Sequence, residues 1–190
     1  MYQVFDKVLY VGPDIKGKGG ISSVLASYKM AFPKFNYLSS NSRYGTILGI
    51  FSLLYLLLNL PILRLFKRIG ILHVHGACGK SFVRKTIIIK YAKFLGYRIV
   101  YHSHGAEFKE YAKKVGAQKI KHVLGLCSAI VVLSKSWKVY FEDTFDLKNV
   151  YIINNIVDPP IELNVKKQGT EKIFLFLGLI GERKGIFDLL

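Results

Sequence analysis

The chain has 190 residues, about half of them hydrophobic (51%), and sets 28 Lys and Arg against 12 Asp and Glu for a formal net charge of +16. Such length and apolar content allow one well-buried domain, or one domain plus a fragment, and exclude an intrinsically disordered polypeptide. Two cysteines, Cys78 and Cys127, form no disulfide framework and lack metal-ligand spacing, which suits a reducing compartment; the excess positive charge calls for an anionic partner, whether nucleic acid, an anionic membrane surface or phosphorylated substrates.

The N-terminus runs directly into a strand, so no cleaved leader is expected. Lys7 to Val11 (KVLYV) is a continuous apolar run, typical of a strand covered on both faces. It ends in GPDIKGKGG, and ISSVLASYKMAF then places Ile21, Val24, Leu25 and Tyr28 at helical spacing. This predicts strand, glycine-rich turn and helix. Pro33 ends the helix, and FNYLSS is a modest second strand.

From Thr46 the chain passes eighteen residues before its first charge at Arg64, the length and hydropathy of a membrane span. Asn59, Pro61, the flanking β/α units and the cluster Arg64, Lys67 and Arg68 favour a different reading. They predict a helix over 46–66 buried on one side, whose other side meets protein or lipid. A true transmembrane helix is the alternative.

ILHVHG is the third strand, with His75 and Gly76 at its end. The segment that follows is a basic amphipathic helix whose expected apolar stripe is Val83, Ile87, Tyr91 and Phe94, with Lys85, Lys90 and Lys93 elsewhere and Gly96 as its stop. YRIVYHSHG is the fourth strand, and a lysine-rich helical region from Glu107 to Leu126 is broken at Gly116. SAIVVLS is the fifth strand, ending at Ser134, SWKVYFED a short helix, and NVYIINN the sixth strand, ending at Asn154 and Asn155. Strands alternating with helices predict an α/β fold, a doubly wound parallel sheet over 1–157. The polar stretch 158–172, with two prolines, reads as an interdomain linker. Residues 173–190 read as the first strand and the opening helix of a truncated second domain.

In a parallel sheet, Gly12, His75, His104, Ser134 and Asn155 each follow a strand and share one edge, where the glycine-rich helix also begins. YHSHGAEF, Tyr101 to Phe108, lies at its centre. Alone it reads as a pair of hydrogen-bonded turn histidines, one on each side of the strand; in that company it is the candidate chemical centre. GPDIKGKG nearly matches the phosphate-binding pattern G-x-x-x-x-G-K-[ST]. Gly19 stands where a magnesium-binding hydroxyl is needed, and no strand ends in an acidic residue, so a nucleoside triphosphatase is not expected. His73, His75, His102 and His104 form two strand-end pairs without zinc spacing. No nucleophile elbow occurs, and the basic helices form no recognisable nucleic-acid module.

The segments KGKGGIS, ILHVHG, YHSHGAEF, AIVVLSKSW, YIINNIVD and FLFLGLIGERKGIFDLL, in that order, resemble the retaining glycosyltransferases built from two facing Rossmann-like domains, the GT-B fold of glycosyltransferase family four. The resemblance covers the whole chain. It implies a GT-B N-terminal domain and transfer of a sugar, with retained anomeric configuration, from a nucleotide-sugar donor to a glycan or lipid-linked acceptor. It also implies no metal, and the chain has no D-x-D pair. His104 matches the family's active-site histidine. Gly19 and Gly20 match the loop whose amides approach the donor phosphate, and Lys184, beside Arg183, matches the lysine that neutralises the leaving diphosphate. His75, Glu107, Ser134 and Asn155 would line the acceptor side of the crevice. Leu179 stands where the family usually has Arg, Ile156 where a Gly is common, and the family's acidic pair and nucleotide pocket would lie beyond Leu190. The acceptor role implies a peripheral place on the inner face of the cytoplasmic membrane, in surface polysaccharide biosynthesis, with no nucleic-acid partner and with this chain inactive alone. The alternatives are a small protein anchored by one transmembrane helix and a basic nucleic-acid-binding α/β domain.

Overall fold

In the computed structural model of the chain, residues 6–156, 175–176, 180 and 186–188 are described. The chain divides into two compact units, Met1–Asp158 and Pro159–Leu190.

In the first unit, six strands alternate with helices as the apolar runs predict. The order is β1 (Val8–Gly12), α1 (Gly20–Ala31), β2 (Asn36–Ser39), α2 (Thr46–Leu65), β3 (Ile71–Gly76), α3 (Lys80–Phe94), β4 (Arg98–Ser103), α4 (Phe108–Val115), α5 (Ala117–Leu124), β5 (Ala129–Val132), α6 (Lys135–Phe145) and β6 (Val150–Ile152). The strands form one sheet in the order β2-β1-β3-β4-β5-β6, and each neighbouring pair is parallel. This is a Rossmann-like α/β sheet. The winding reverses at β1: the chain steps outward to β2, then returns across β1 to β3. The crevice between the C-terminal ends of β1 and β3 is therefore a topological switch point, where ligands of open α/β sheets collect.

Side chains alternate across the sheet, so each face has its own inventory. Leu9, Val11, Leu72, Val74, Ile99, Tyr101, Ile130 and Val132 meet Leu56 and Leu60 of α2, Ile88 and Ile89 of α3 and the buried sides of α4, α5 and α6 in the main core. Val8 and Tyr10 on the other face meet Val24, Leu25 and Tyr28 of α1 in a smaller cluster. Among the described helices five lie on one face and α1 on the other, as right-handed crossovers in those two directions require. Leu56 and Leu60 are fully buried and fasten α2; truncating either to Ala would cost about 2–5 kcal/mol. The helical region after β4 is divided at Gly116, whose φ of +95° a side chain rarely tolerates.

Helix α3 corrects the reading of its sequence. Most of the expected core stripe faces outward: Val83 is 56% exposed, Ile87 47% and Phe94 85%, and only Tyr91 of the four packs against the core, half-buried. Its buried side is Phe82, Lys85, Ile88, Ile89 and Ala92, so Lys85 is not on the solvated face. Both faces of α3 are apolar, and a periodicity argument takes whichever stripe is better separated from the lysines. Lys85 joins the buried side because its ammonium finds Ser40 Oγ at the end of β2.

In the second unit, Ile186–Asp188 form one short 3-10 turn where the sequence predicts a helix to open. Leu175 and Phe176 are described within the expected strand, and neither is in a strand. The linker 158–172 and the phosphate-site candidates Arg183 and Lys184 lie outside the described residues.

Candidate active site

Gly12 ends β1 in close packing: a Cβ there would lie 2.3 Å from Cδ1 of the fully buried Leu25, which would have to shift. The chain then folds on Asp14: its carboxylate accepts from the Lys16 amide at 2.9 Å, its carbonyl from Gly17 N at 2.9 Å and from Ser22 Oγ at 2.8 Å. These bonds brace the loop from its base and leave Gly19 and Gly20 uncrowded, since a Cβ on either would meet nothing within 4 Å. Helix α1 starts there with no side-chain cap and no acidic residue in its first turn. Its first amide groups are thus available to an anion, and the glycines let that anion approach the backbone.

Two strands away, His104 follows β4, and its amide donates to the Gly76 carbonyl at 2.8 Å, which prolongs the pairing of β4 with β3. That registers its imidazole beside His75, with His75 Nδ1 and His104 Nε2 3.0 Å apart. The other two imidazoles continue the stack. Ring centroids are 4.3 Å apart for His102 and His104, 4.9 Å for His75 and His102, and 4.5 Å for His73 and His75. All four therefore lie on the α1 side of the sheet, where Tyr28 of α1 meets His75 edge to face at 5.4 Å. This corrects the expectation of one histidine on each side of β4, since residues two apart in a strand share a face.

Burial holds the whole column neutral. It lowers the His73 and His104 pKa values to about 4, that of His102 to about 2 and that of His75 well below the usual 6.5, with the neighbouring imidazoles adding to the effect at His73, His75 and His102. Lys85 is a further, smaller contributor at His75. His75 Nε2 is buried without a partner. A bare ring nitrogen there costs less than an orphaned N–H, so the favoured tautomer has His75 Nδ1–H donating to His104 Nε2. His104 then carries its proton on Nδ1. As a neutral imidazole half-exposed at the strand end, it is suited to donate a hydrogen bond rather than to serve as a base at neutral pH.

His73, His75 and His102 also bring ligating nitrogens within 4.8 Å of one another, and His73 Nε2, His75 Nε2 and both nitrogens of His102 are buried without partners. A tetrahedral ion bound at about 2.1 Å would need them about 3.4 Å apart with converging lone pairs. The rings instead lie face to face, with interplanar angles of 18–37°. The cluster is packed as a stack of neutral rings.

The remaining candidates occupy the same edge at greater distance. Ser134 caps α6, its Oγ accepting from the Trp137 amide at 3.3 Å and meeting Ser136 Oγ at 2.9 Å. Its hydroxyl thus already has structural work. Glu107 immediately precedes α4 and is exposed, and Asn155 is exposed beyond β6, the edge strand. The structure therefore brings together Gly12, the Gly19–Gly20 helix start, His75 and His104, and leaves Ser134 and Asn155 one and two strands further on. Sequence reasoning missed Lys85 and the participation of His73 and His102 in one column.

No protein-family model matches the chain, and no curated protein matches it. The functional reading therefore rests on the chain's own geometry.

Proposed function

We propose that this chain is the acceptor-side part of a GT-B glycosyltransferase, which transfers a sugar from a nucleotide-sugar donor to a glycan or lipid-linked acceptor at the cytoplasmic face of the membrane. The observation that carries this reading is the pairing of His75 with His104 at the switch point, facing the same edge as the open Gly19–Gly20 helix start. Sugar transfer needs one group that holds a sugar hydroxyl without taking its proton and another that receives phosphate charge. A neutral imidazole locked by its neighbour supplies the first; uncapped amides at a helix start supply the second. Productive transfer requires both substrates in fixed geometry, and here the two elements follow β1 and β4, two strands apart in one rigid sheet. By resemblance alone, Arg183 and Lys184 are assigned to the donor diphosphate. No metal is needed in this scheme, because the cationic side chains and amides carry the leaving-group charge.

The test uses the isotope-labelled chain and the ring resonances of its histidines. A lipid-phosphate-linked sugar should shift His75 and His104 together, and the shift should vanish in His104→Ala while the fold persists. Indifference of both rings to a panel of lipid-linked and free glycans, at concentrations that saturate known acceptor sites, would reject the proposal.

A further inference from the structure

None of the twelve acidic residues lies between Ile15 and Ala106, a stretch that holds fourteen of the 28 Lys and Arg. Helices α2 and α3 both fall inside it, and they are neighbours on the same face of the sheet. Their outward surfaces are apolar. Ile47, Phe51, Leu54, Leu58 and Ile62 of α2 are exposed, as are Val83, Ile87 and Phe94 of α3; Val83 shares a cleft with Ile50 and Leu53 of α2, and with Ile87 it also lines the groove towards α5. Lys80, Lys90 and Lys93 of α3 and Lys67 and Arg68 after α2 are exposed around this surface. Exposed apolar residues on two neighbouring helices that carry cations and no carboxylate mark an interaction site.

The site end of this face is a cleft of about 710 Å³ between the first turns of α2 and α3. Ile50, Leu53 and Val83 give it apolar walls, and Lys80, Arg84 and Arg43, the last with its Nε 3.9 Å from Asp14 Oδ2, give it three cations, with no carboxylate among its lining residues. Arg84 Nε is buried there without a partner. Apolar walls with an unsatisfied guanidinium N–H suit an amphiphile whose anionic head enters the cleft and whose chain lies along the helices.

Helix α2 is long and apolar enough to cross a bilayer. Its ends are nevertheless tied to β2 and β3, which both pair with β1, and Leu56 and Leu60 pack onto the sheet. Spanning would draw the polar sheet edge and its histidines into hydrocarbon, so the helix lies along the interface.

We propose that the α2–α3 face docks on an anionic bilayer, with one anionic lipid headgroup seated between Arg43, Lys80 and Arg84. Nucleic acid is the poorer fit, because it needs polar groups or stacked aromatic faces beside the charge, and Ile47, Leu54, Leu58, Ile62, Val83 and Ile87 make most of this surface aliphatic. The proposal extends the membrane-face reading above without relying on its chemistry.

Vesicle flotation of the full chain tests it, with phosphatidylcholine alone or mixed with phosphatidylglycerol. Binding should need phosphatidylglycerol and weaken in high salt. Leu58→Glu and Ile87→Glu should each lower partitioning about tenfold, with Val83→Ser as a milder third variant and unchanged thermal melts showing that each folds. Lys80→Gln and Arg84→Gln should each lower it about fivefold on anionic vesicles only. Wild-type binding by the Ile87 and Val83 variants would overturn the two-helix surface, and equal losses of Arg84→Gln on both vesicle types would overturn the headgroup seat. Resistance to alkaline carbonate, tighter binding to RNA than to vesicles, or a dimer dissolved by the same variants would each overturn the docking. Sugar transfer is not read in any arm, so failure here is distinct from failure of the glycosyltransferase reading.

Discussion

Lys85 on α3 donates a hydrogen bond to Ser40 Oγ at the end of β2, and that hydroxyl donates in turn to the Gly12 carbonyl at 2.8 Å. A fully buried amine thus sits under the glycine-rich loop, linking the helix layer to the end of β1. Burial lowers its pKa from 10.5 to about 7.

The first expectation follows from that depression. Between pH 7 and 10.5 the unfolded chain holds the Lys85 proton and the folded chain does not, so stability falls as pH drops through this window, by about 1.4 kcal/mol per unit. Lys85→Met keeps the volume and leaves Ser40 bonded to Gly12. Its thermal midpoint at pH 7 should exceed that of the native chain, with the gap narrowing at pH 9. A lower midpoint at pH 7 would mean that the ammonium stabilises the loop more than its burial costs.

Acid should unfold the domain early. Each histidine of the column is neutral when folded and has a pKa near 6.5 when unfolded, so its contribution is complete above about pH 6.5 and is lost as pH falls towards the folded values, about 4 for His73 and His104. Several such groups act together. Denaturant titrations should show stability declining steeply between pH 6.5 and 4, before most carboxylates titrate. A flat profile across that window would contradict neutral burial of the column.

The glycines of the edge separate structural from functional roles. A Cβ on Gly76 would lie 2.7 Å from Tyr101 Oη and 2.8 Å from its ring, a fully buried side chain that cannot swing away. Gly76→Ala should cost about 1–3 kcal/mol in chemical denaturation. Gly19→Ala and Gly20→Ala meet open space and should stay within about 0.5 kcal/mol. If the helix start receives phosphate, these two silent substitutions should still impair nucleotide-sugar use in a complete enzyme.

His104→Ala removes one half-buried ring and one hydrogen bond, so the fold should survive it. In a protein that joins this chain to a donor-binding domain, the substitution should reduce turnover far more than acceptor affinity. Equal losses of turnover and acceptor affinity would instead make His104 a residue that only binds the acceptor.

Much of this architecture was legible in sequence. KVLYV, ILHVHG and SAIVVLS are strands because buried parallel strands leave unbroken apolar runs, and Gly116 and Pro33 punctuate the helices as their backbone restrictions dictate. The shared edge of Gly12, His75 and His104 followed from parallelism alone. The rotation of α3 did not, because both its faces are apolar and a buried lysine inverts the simplest pattern. The four-ring column was hidden for a different reason: the register pairing His75 with His102 is a relation between strands 27 residues apart in the chain, which local spacing does not encode.

The acid-free run from Ile15 to Ala106 has a kinetic consequence. With all its carboxylates outside that run, the molecule carries its charge asymmetrically, and a negatively charged plane would exert a torque on it at distances up to the Debye length, roughly 8 Å at physiological ionic strength. It would turn before it touches. Arrival would then be pre-oriented, with the switch-point crevice at a set height beside the bilayer, and the rate of arrival would fall with salt more steeply than the rate of departure rises.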